Sequence, residues 1–400
     1  MGSQCQNISI DGWKEEVVKD DSELKKVDVH LGKIPIKTVE NHLYLGSIIE
    51  NSGSNKLNVS ERAAKGQGII RDIRYILDGT YFGSFYFEAL KLLRESMLLS
   101  VLSHNLEVCF NISTQDIKKL HDLDMQLLRG CLLLGAKSTQ CLVFLELGLT
   151  IVYFIIKKKR ILYLHHLLTT DQSSLVSKVF WKQTESPTKG TWVSTVIKDL
   201  IDFNIKLSFS QISELSKAKF KSIVKQSCEK ASFASLIKEK ESLSKGNQLH
   251  FESLKIQSYF FPENGLRAEN MRRIYQTKCC ELDVKANYPS AYSDNKCPAS
   301  GCKSEDNQKH LFESACFTND HMITNNETKY EDVFSSNIEE QIRVTDILFL
   351  KLEARRRLIS CSEQRVPVDP WRANKASRLG IKKAKNKNNK KTNKCNKNKC

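Results

Sequence analysis

The residues best suited to chemistry lie in one short stretch, with the spacing Cys297-x4-Cys302-x7-His310-x5-Cys316. Three thiols and an imidazole make a ligand set suited to tetrahedral zinc. Pro298 and Gly301 favour a tight turn between the first two thiols. Leu311 and Phe312 follow the histidine and supply apolar shielding. Residues six apart on a continuous helix point to different faces, so His310 and Cys316 require a bend between them. If all four groups bind, no position is left for water or substrate, and the site is structural rather than catalytic. A chance cluster in a chain with 13 cysteines is the alternative, and Cys279 and Cys280 are spare candidates for a ligand position.

No second constellation of this kind stands out. His165 and His166 sit in an apolar helical run without a nearby cysteine or acidic cluster, and read as packing residues. There is no G-x-x-x-x-G-K-[ST] phosphate loop and no recognisable nuclease constellation. The Asp-Asp pair in EVVKDDSEL, Asp20 and Asp21, lacks a preceding aromatic residue and flanking apolar strands.

Charge points to polyanionic partners. The 400 residues carry a net charge of +16, but twelve basic residues lie from Arg372 onward, with no acidic residue after Asp369. Setting those twelve aside leaves +4 for residues 1–371. The tail, with Lys382, Lys383, Lys390 and Lys391 in its lysine pairs, has almost no apolar side chains and cannot offset the entropy of ordering. It is expected to be disordered and to attract nucleic acid. The opening MGSQCQNISIDGWKEE has no apolar segment of a signal peptide, and Gln6 breaks the myristoylation pattern. The run TIVYFIIKKKRILYLHHLLTT is interrupted by Lys157, Lys158, Lys159 and Arg160, which argues against a membrane span. With scattered cysteines, these features imply a nuclear or cytoplasmic protein that is not secreted.

The elements that must position these residues are mostly helices. Residues 1–50 alternate apolar and polar positions around Gly32 and read as short antiparallel strands, too few to form a domain alone. Residues 57–168 show three- and four-residue apolar spacing, with Ser60 expected to cap the first helix and Ser113 to open a later one near a capping box. The helix over 150–168 is apolar on most faces and so expected to be buried. SPTKG breaks the pattern at 186–190, and the lysine-rich stretch 210–245 is expected on the surface. FFPENG marks a boundary, RAENMRRIYQTKCCELDV forms a basic helix before the cysteine cluster, and an amphipathic helix ends before VPVDPW.

The run HLYLGSIIENSGSNKLNVSERAAKGQGIIRDI resembles the segment that follows the catalytic core of non-LTR (LINE-type) retrotransposon reverse transcriptases. LRESMLLSVLSHNLEVC is similar to their thumb helix, and LVFLELGLTIVYFIIKKKRILYLHHLL, SLVSKVFWKQTESPTKGTWVSTVIKDL and the late cysteine cluster continue the likeness in the same order. The resemblance covers roughly residues 10–365. It implies a mainly α protein with a β-hairpin palm remnant over 1–50. A thumb over 51–148 and a connector over 149–262 would follow. Next would come a basic helix with a CCHC zinc knuckle over 263–330, a last helix over 331–365 and a disordered tail over 366–400. Tyr44 and Gly46 would belong to a primer grip, and Lys157, Lys158, Lys159, Arg160, Arg272 and Arg273 would approach a template backbone. The family's catalytic aspartates would precede this region, so the expected function is non-catalytic RNA or DNA binding, with missing polymerase domains as potential partners in trans. The alternative is a domesticated or trans-docking helical interaction module without a nucleic-acid role.

Overall fold

Apolar side chains spaced three and four apart through most of the chain give a mainly helical protein, here described from a computed structural model. The structure describes residues 30–31, 34–35, 39–44, 47–50, 52–110, 112–136, 138–185, 190–243, 248–282, 284–287, 294–317 and 328–361. Gly46, Asp20, Asp21 and the tail lysines Lys382, Lys383, Lys390 and Lys391 lie outside those residues. The chain divides into two compact units, one within Met1–Cys131 and Gln140–Ala268, the other within Leu132–Thr139 and Glu269–Cys400. Apart from Leu132–Thr139, the stretches read separately as thumb and connector fall together in the first unit.

The first unit opens with two antiparallel pairs, β1 (His30–Leu31) with β2 (Ile34–Pro35), and β3 (Asn41–Tyr44) with β4 (Ser47–Glu50). In the second pair His42 faces Ile49 and Leu43 faces Ile48. Helix α1 (Lys56–Gly79) follows. Its start is not at Ser60, which lies inside the helix. Glu50 accepts from the Leu57 N–H at 2.9 Å and Ser54 Oγ from the Lys56 N–H at 3.1 Å, so donors in the first turn are satisfied earlier in the chain. The hairpin is tied to this unit because Arg62 and Asn105 both donate to Ser47 Oγ, at 3.1 and 2.8 Å.

Helix α2 (Tyr86–Leu93) runs through a π turn over Arg94–Leu98 into α3 (Leu99–Leu102). Helix α4 (Thr114–Leu132) begins where the Ser113 hydroxyl accepts from the Asp116 N–H at 3.1 Å and donates to its carboxylate at 2.7 Å. At the heart of these helices Arg94 forks onto Asp124, with Nε–Oδ1 2.7 Å and Nη2–Oδ2 2.6 Å, and both are essentially inaccessible to solvent. The same Nη2 also donates to the Thr150 carbonyl at 2.9 Å, so the buried charge is both neutralised and hydrogen-bonded. Next is α5 (Gln140–Glu146), buried from Cys141 to Glu146.

The second half of this unit is α6 (Val152–Thr169), α7 (Leu175–Glu185), α8 (Trp192–Asp202), α9 (Phe209–Glu214) and α10 (Lys217–Glu241) around one apolar core. α6 is buried on most sides, as its composition implies. α10 is two-faced: Phe220, Val224, Cys228, Ser232 and Leu236, each four residues on, pack inward, while lysines such as Lys217, Lys221 and Lys230 stay exposed. The sequence reading saw its surface and missed its buried stripe. No helix among the described residues is long and apolar enough to cross a membrane.

The second unit contains α11 (Ala268–Lys278), α12 (Gln308–Glu313) and α13 (Ile338–Cys361), joined by turns, and α12 and α13 pack around Leu311, Val333, Val344 and Leu348. The segment that α4 leads into contributes to it: Gln276 Nε2 donates to the Leu132 and Leu133 carbonyls, each at 3.2 Å, and Glu281 accepts from the Thr139 N–H at 3.1 Å. The cysteine cluster and the last helix, separate stretches in the sequence reading, share this single core.

Candidate metal centre

The loop from Lys296 to Glu305 is a miniature hairpin. An antiparallel bridge joins Lys296 to Glu305, and the Cys297 N–H donates to the Ser304 carbonyl at 2.9 Å. At its tip the Cys302 N–H returns to the Ala299 carbonyl at 3.1 Å, and Gly301 takes φ +77°, where a residue with a Cβ is strained. The histidine comes from α12, whose start is capped by Asn307 Oδ1 accepting from the His310 N–H at 2.8 Å. α12 stops after six residues, Ser314 is extended, and a 3-10 turn over Ala315–Phe317 carries the last cysteine. That is the bend the spacing required.

Cys297, Cys302, His310 and Cys316 therefore converge, with one donor atom from each lying within 4.8 Å of all the others. His310 Nε2 is 3.5 Å from Cys302 Sγ and 3.9 Å from Cys316 Sγ. A tetrahedron with Zn–S near 2.3 Å and Zn–N near 2.0–2.1 Å has N···S edges of about 3.5 Å. The donor set and its spacing fit zinc, and a zinc held by all four has no open position. Cys279 and Cys280 do not join this group. Burial pushes the Cys297 thiol up to about 12, whereas a hydrogen bond from the Ser304 backbone holds Cys302 below the usual thiol value. A metal held here would take its sulfur ligands as thiolates, so its binding would release protons.

Two buried cations of α13 brace this centre. Lys351 donates to the Phe312 carbonyl and, at 2.9 Å, to the Ser314 carbonyl, holding the bend between His310 and Cys316. Arg355 grips Asp306, four residues after Cys302, through Nε at 3.1 Å to both oxygens and Nη2 at 2.5 Å to Oδ2. Arg355 and Asp306 are 1% and 0% exposed. A sequence reading that treats cations as surface residues passes over both. Their signal is the three-residue step from Leu348 to Lys351 and from Leu352 to Arg355, which places both beside the apolar stripe of α13.

The basic residues expected on a nucleic-acid face separate into two groups. Lys157 and Arg160 turn inward. Arg160 meets Asp199 at 2.5 Å, and Lys157 contacts Asp202 and lies 3.7 Å from Asp199. Both are nearly inaccessible, and they close the packing of α6 on α8. Burial pulls the Lys157 ammonium down, but Asp202, Tyr153 and Asp199 together more than reverse this, leaving it above the ordinary lysine value. Lys158 and Lys159, on the intervening turn, are half-buried. In the second unit Arg273 pairs with Glu269 at 2.6 Å and stacks 5.0 Å from the Phe349 ring centre, and Arg272 is half-buried. For Tyr44 the structure describes the backbone at the end of β3. His165 packs on Phe220, with ring centres 5.2 Å apart, and reaches the Leu215 carbonyl at 2.9 Å, as a packing histidine does. Comparison with models of known families, with curated proteins and with solved structures finds no match to this chain.

Proposed function

We propose that this chain is a non-catalytic nucleic-acid-binding protein whose second unit is organised by a structural zinc, the counterpart of the thumb, connector and knuckle of a LINE-type reverse transcriptase. The observation that carries the zinc reading is the convergence of Cys297, Cys302, His310 and Cys316 at N···S distances close to those of a zinc tetrahedron. The nucleic-acid reading rests on the charge of +16, the lysine-rich tail and the exposed lysines of α10. The absence of an aromatic-x-Asp-Asp motif from the 400 residues supports the non-catalytic part. The test is metal analysis of the purified chain, with Cys297→Ser and Cys302→Ser as controls, followed by RNA and DNA binding across a salt series. About one zinc per chain, lost in both variants, and affinity falling steeply with salt are expected. Full-length protein that takes up no zinc, or binding without a salt slope, refutes the corresponding half of the proposal.

A second reading, a helical module that docks on another protein, is favoured by the hairpin. Leu43 and Ile49 are 62% and 57% exposed. The register puts them on opposite faces of a two-stranded pair that is marginal without further packing. Concentration-dependent self-association abolished by Leu43→Glu supports it, and a monomer at all concentrations opposes docking on a second copy.

A further inference from the structure

The first unit contains a cavity of about 490 Å³, within the range of small-ligand sites. Four lysines line it: Lys91 from α2, Lys158 and Lys159 from α6, and Lys225 from α10. None of the four is ion-paired among the described residues. Only two carboxylates share the wall, Glu95 and Glu229, so the cavity keeps an excess of positive charge. Arg94 is also in the lining, but its charge is already neutralised by Asp124. Lys159 is half-buried in this wall. Its Nζ reaches only the Ser103 carbonyl, at 3.5 Å, and burial, reinforced by Lys158 and opposed by Glu107, holds it below the ordinary lysine value. An anion in the cavity would reverse that penalty.

The remaining walls are mixed. Leu99, Ile155 and Leu254 provide an apolar side, and Ser100 adds a hydroxyl. Gly148 lies at the rim with φ +60°, pressed against the Lys255–Ile256 backbone, where any Cβ would collide, so this wall is fixed by the chain itself. The π turn over Arg94–Leu98 sets the opposite wall, and such turns recur at functional sites. We propose that this cavity binds the phosphate of a ligand of about nucleotide size, with Lys158, Lys159 and Lys225 as its charge partners and the apolar wall against the organic part. The proposal shares phosphate recognition with the function argued above, but it stands on the first unit alone and survives if the zinc reading fails.

The experiment is calorimetric titration of the full chain at low salt with ADP, with a thymidine pentanucleotide and with adenosine. Binding of ADP identifies a free nucleotide as the source of the phosphate, and binding of the pentanucleotide without ADP identifies a strand. Lys158→Gln and Lys225→Gln are each expected to weaken binding ~10-fold or more, as loss of a charge-assisted contact does. Lys178→Gln, on exposed α7, should leave it unchanged. No binding of either phosphate ligand, adenosine binding as tightly as ADP, or equal losses in Lys178→Gln overturns the proposal. Loss of RNA and DNA binding in the salt series with ADP binding retained refutes the proposed function and leaves the cavity assignment standing.

Discussion

Arg355→Met is expected to destabilise the second unit severely. The substitution leaves the Asp306 carboxylate, 0% exposed, without the three guanidinium contacts of 2.5–3.1 Å that now neutralise it. Breaking a buried pair from one side costs about 3–5 kcal/mol, because the remaining charge stays desolvated. That is roughly two to four powers of ten in the unfolding equilibrium. Replacing both partners, Arg355→Met with Asp306→Leu, removes the stranded charge and is expected to cost far less than the single change. Cobalt in place of zinc gives an optical reading of the second unit, since its thiolate absorption requires Cys297, Cys302 and Cys316 to be assembled. In a urea titration followed by that absorption, a loss of about 4 kcal/mol lowers the midpoint by ~2 M at a slope of about 2 kcal/mol/M. A midpoint shift below ~0.5 M for the single variant refutes the reasoning. So does a double variant as unstable as the sum of the two singles, because the pair would then contribute no coupling.

Three further outcomes are expected. Removing the metal with a chelator should release α13 along with the knuckle, seen as amide exchange accelerating through 338–355 while α8 stays protected; unchanged exchange in α13 would show that Lys351 and Arg355 hold it without metal. Burial raises Cys228 to about 12, above the unfolded thiol value, so its contribution to stability is complete below the unfolded value of about 8.5 and is lost as pH rises towards 12. The stability difference between wild type and Cys228→Ala should therefore shift by about 1.4 kcal/mol between pH 7.5 and 9.5, against wild type, in paired denaturant titrations. Arg160→Met should lower the melting temperature by leaving Asp199 buried with Lys157 alone, yet leave the salt slope of nucleic-acid binding unchanged; a slope that falls by about one would place Arg160 on phosphate after all.

Much of the helical order was legible because apolar periodicity is a local property: α4 opens at Ser113, α6 is buried as its composition implies, and the bend between His310 and Cys316 follows from helix geometry. The convergence of Cys297, Cys302, His310 and Cys316 was readable for the same reason, since the cluster is encoded over 20 residues. What stayed hidden depends on pairing across long separations. Lys157, Lys158, Lys159 and Arg160 look alike in sequence, and only Asp199 and Asp202, some forty residues on, decide which two turn inward. Arg94 with Asp124 and Arg355 with Asp306 are equally invisible to composition. The lysine cavity was missed because its four lysines come from three helices far apart in the sequence.

The path of the chain between the two units has a consequence for how the protein is made and how it can be cut. The segment Leu132–Thr139 belongs to the second unit, while Gln140–Ala268 returns to the first. The second unit cannot close during synthesis until Glu269 and the residues beyond it have emerged, although its first contribution left the ribosome long before. A clone beginning at Glu269 would carry the Cys297, Cys302, His310 and Cys316 cluster but would lack the Leu132 and Leu133 carbonyls and the Thr139 amide that Gln276 and Glu281 hold. Neither unit is a detachable cassette, and a lineage that shuffled its exons at the apparent boundary near residue 268 would inherit two incomplete halves.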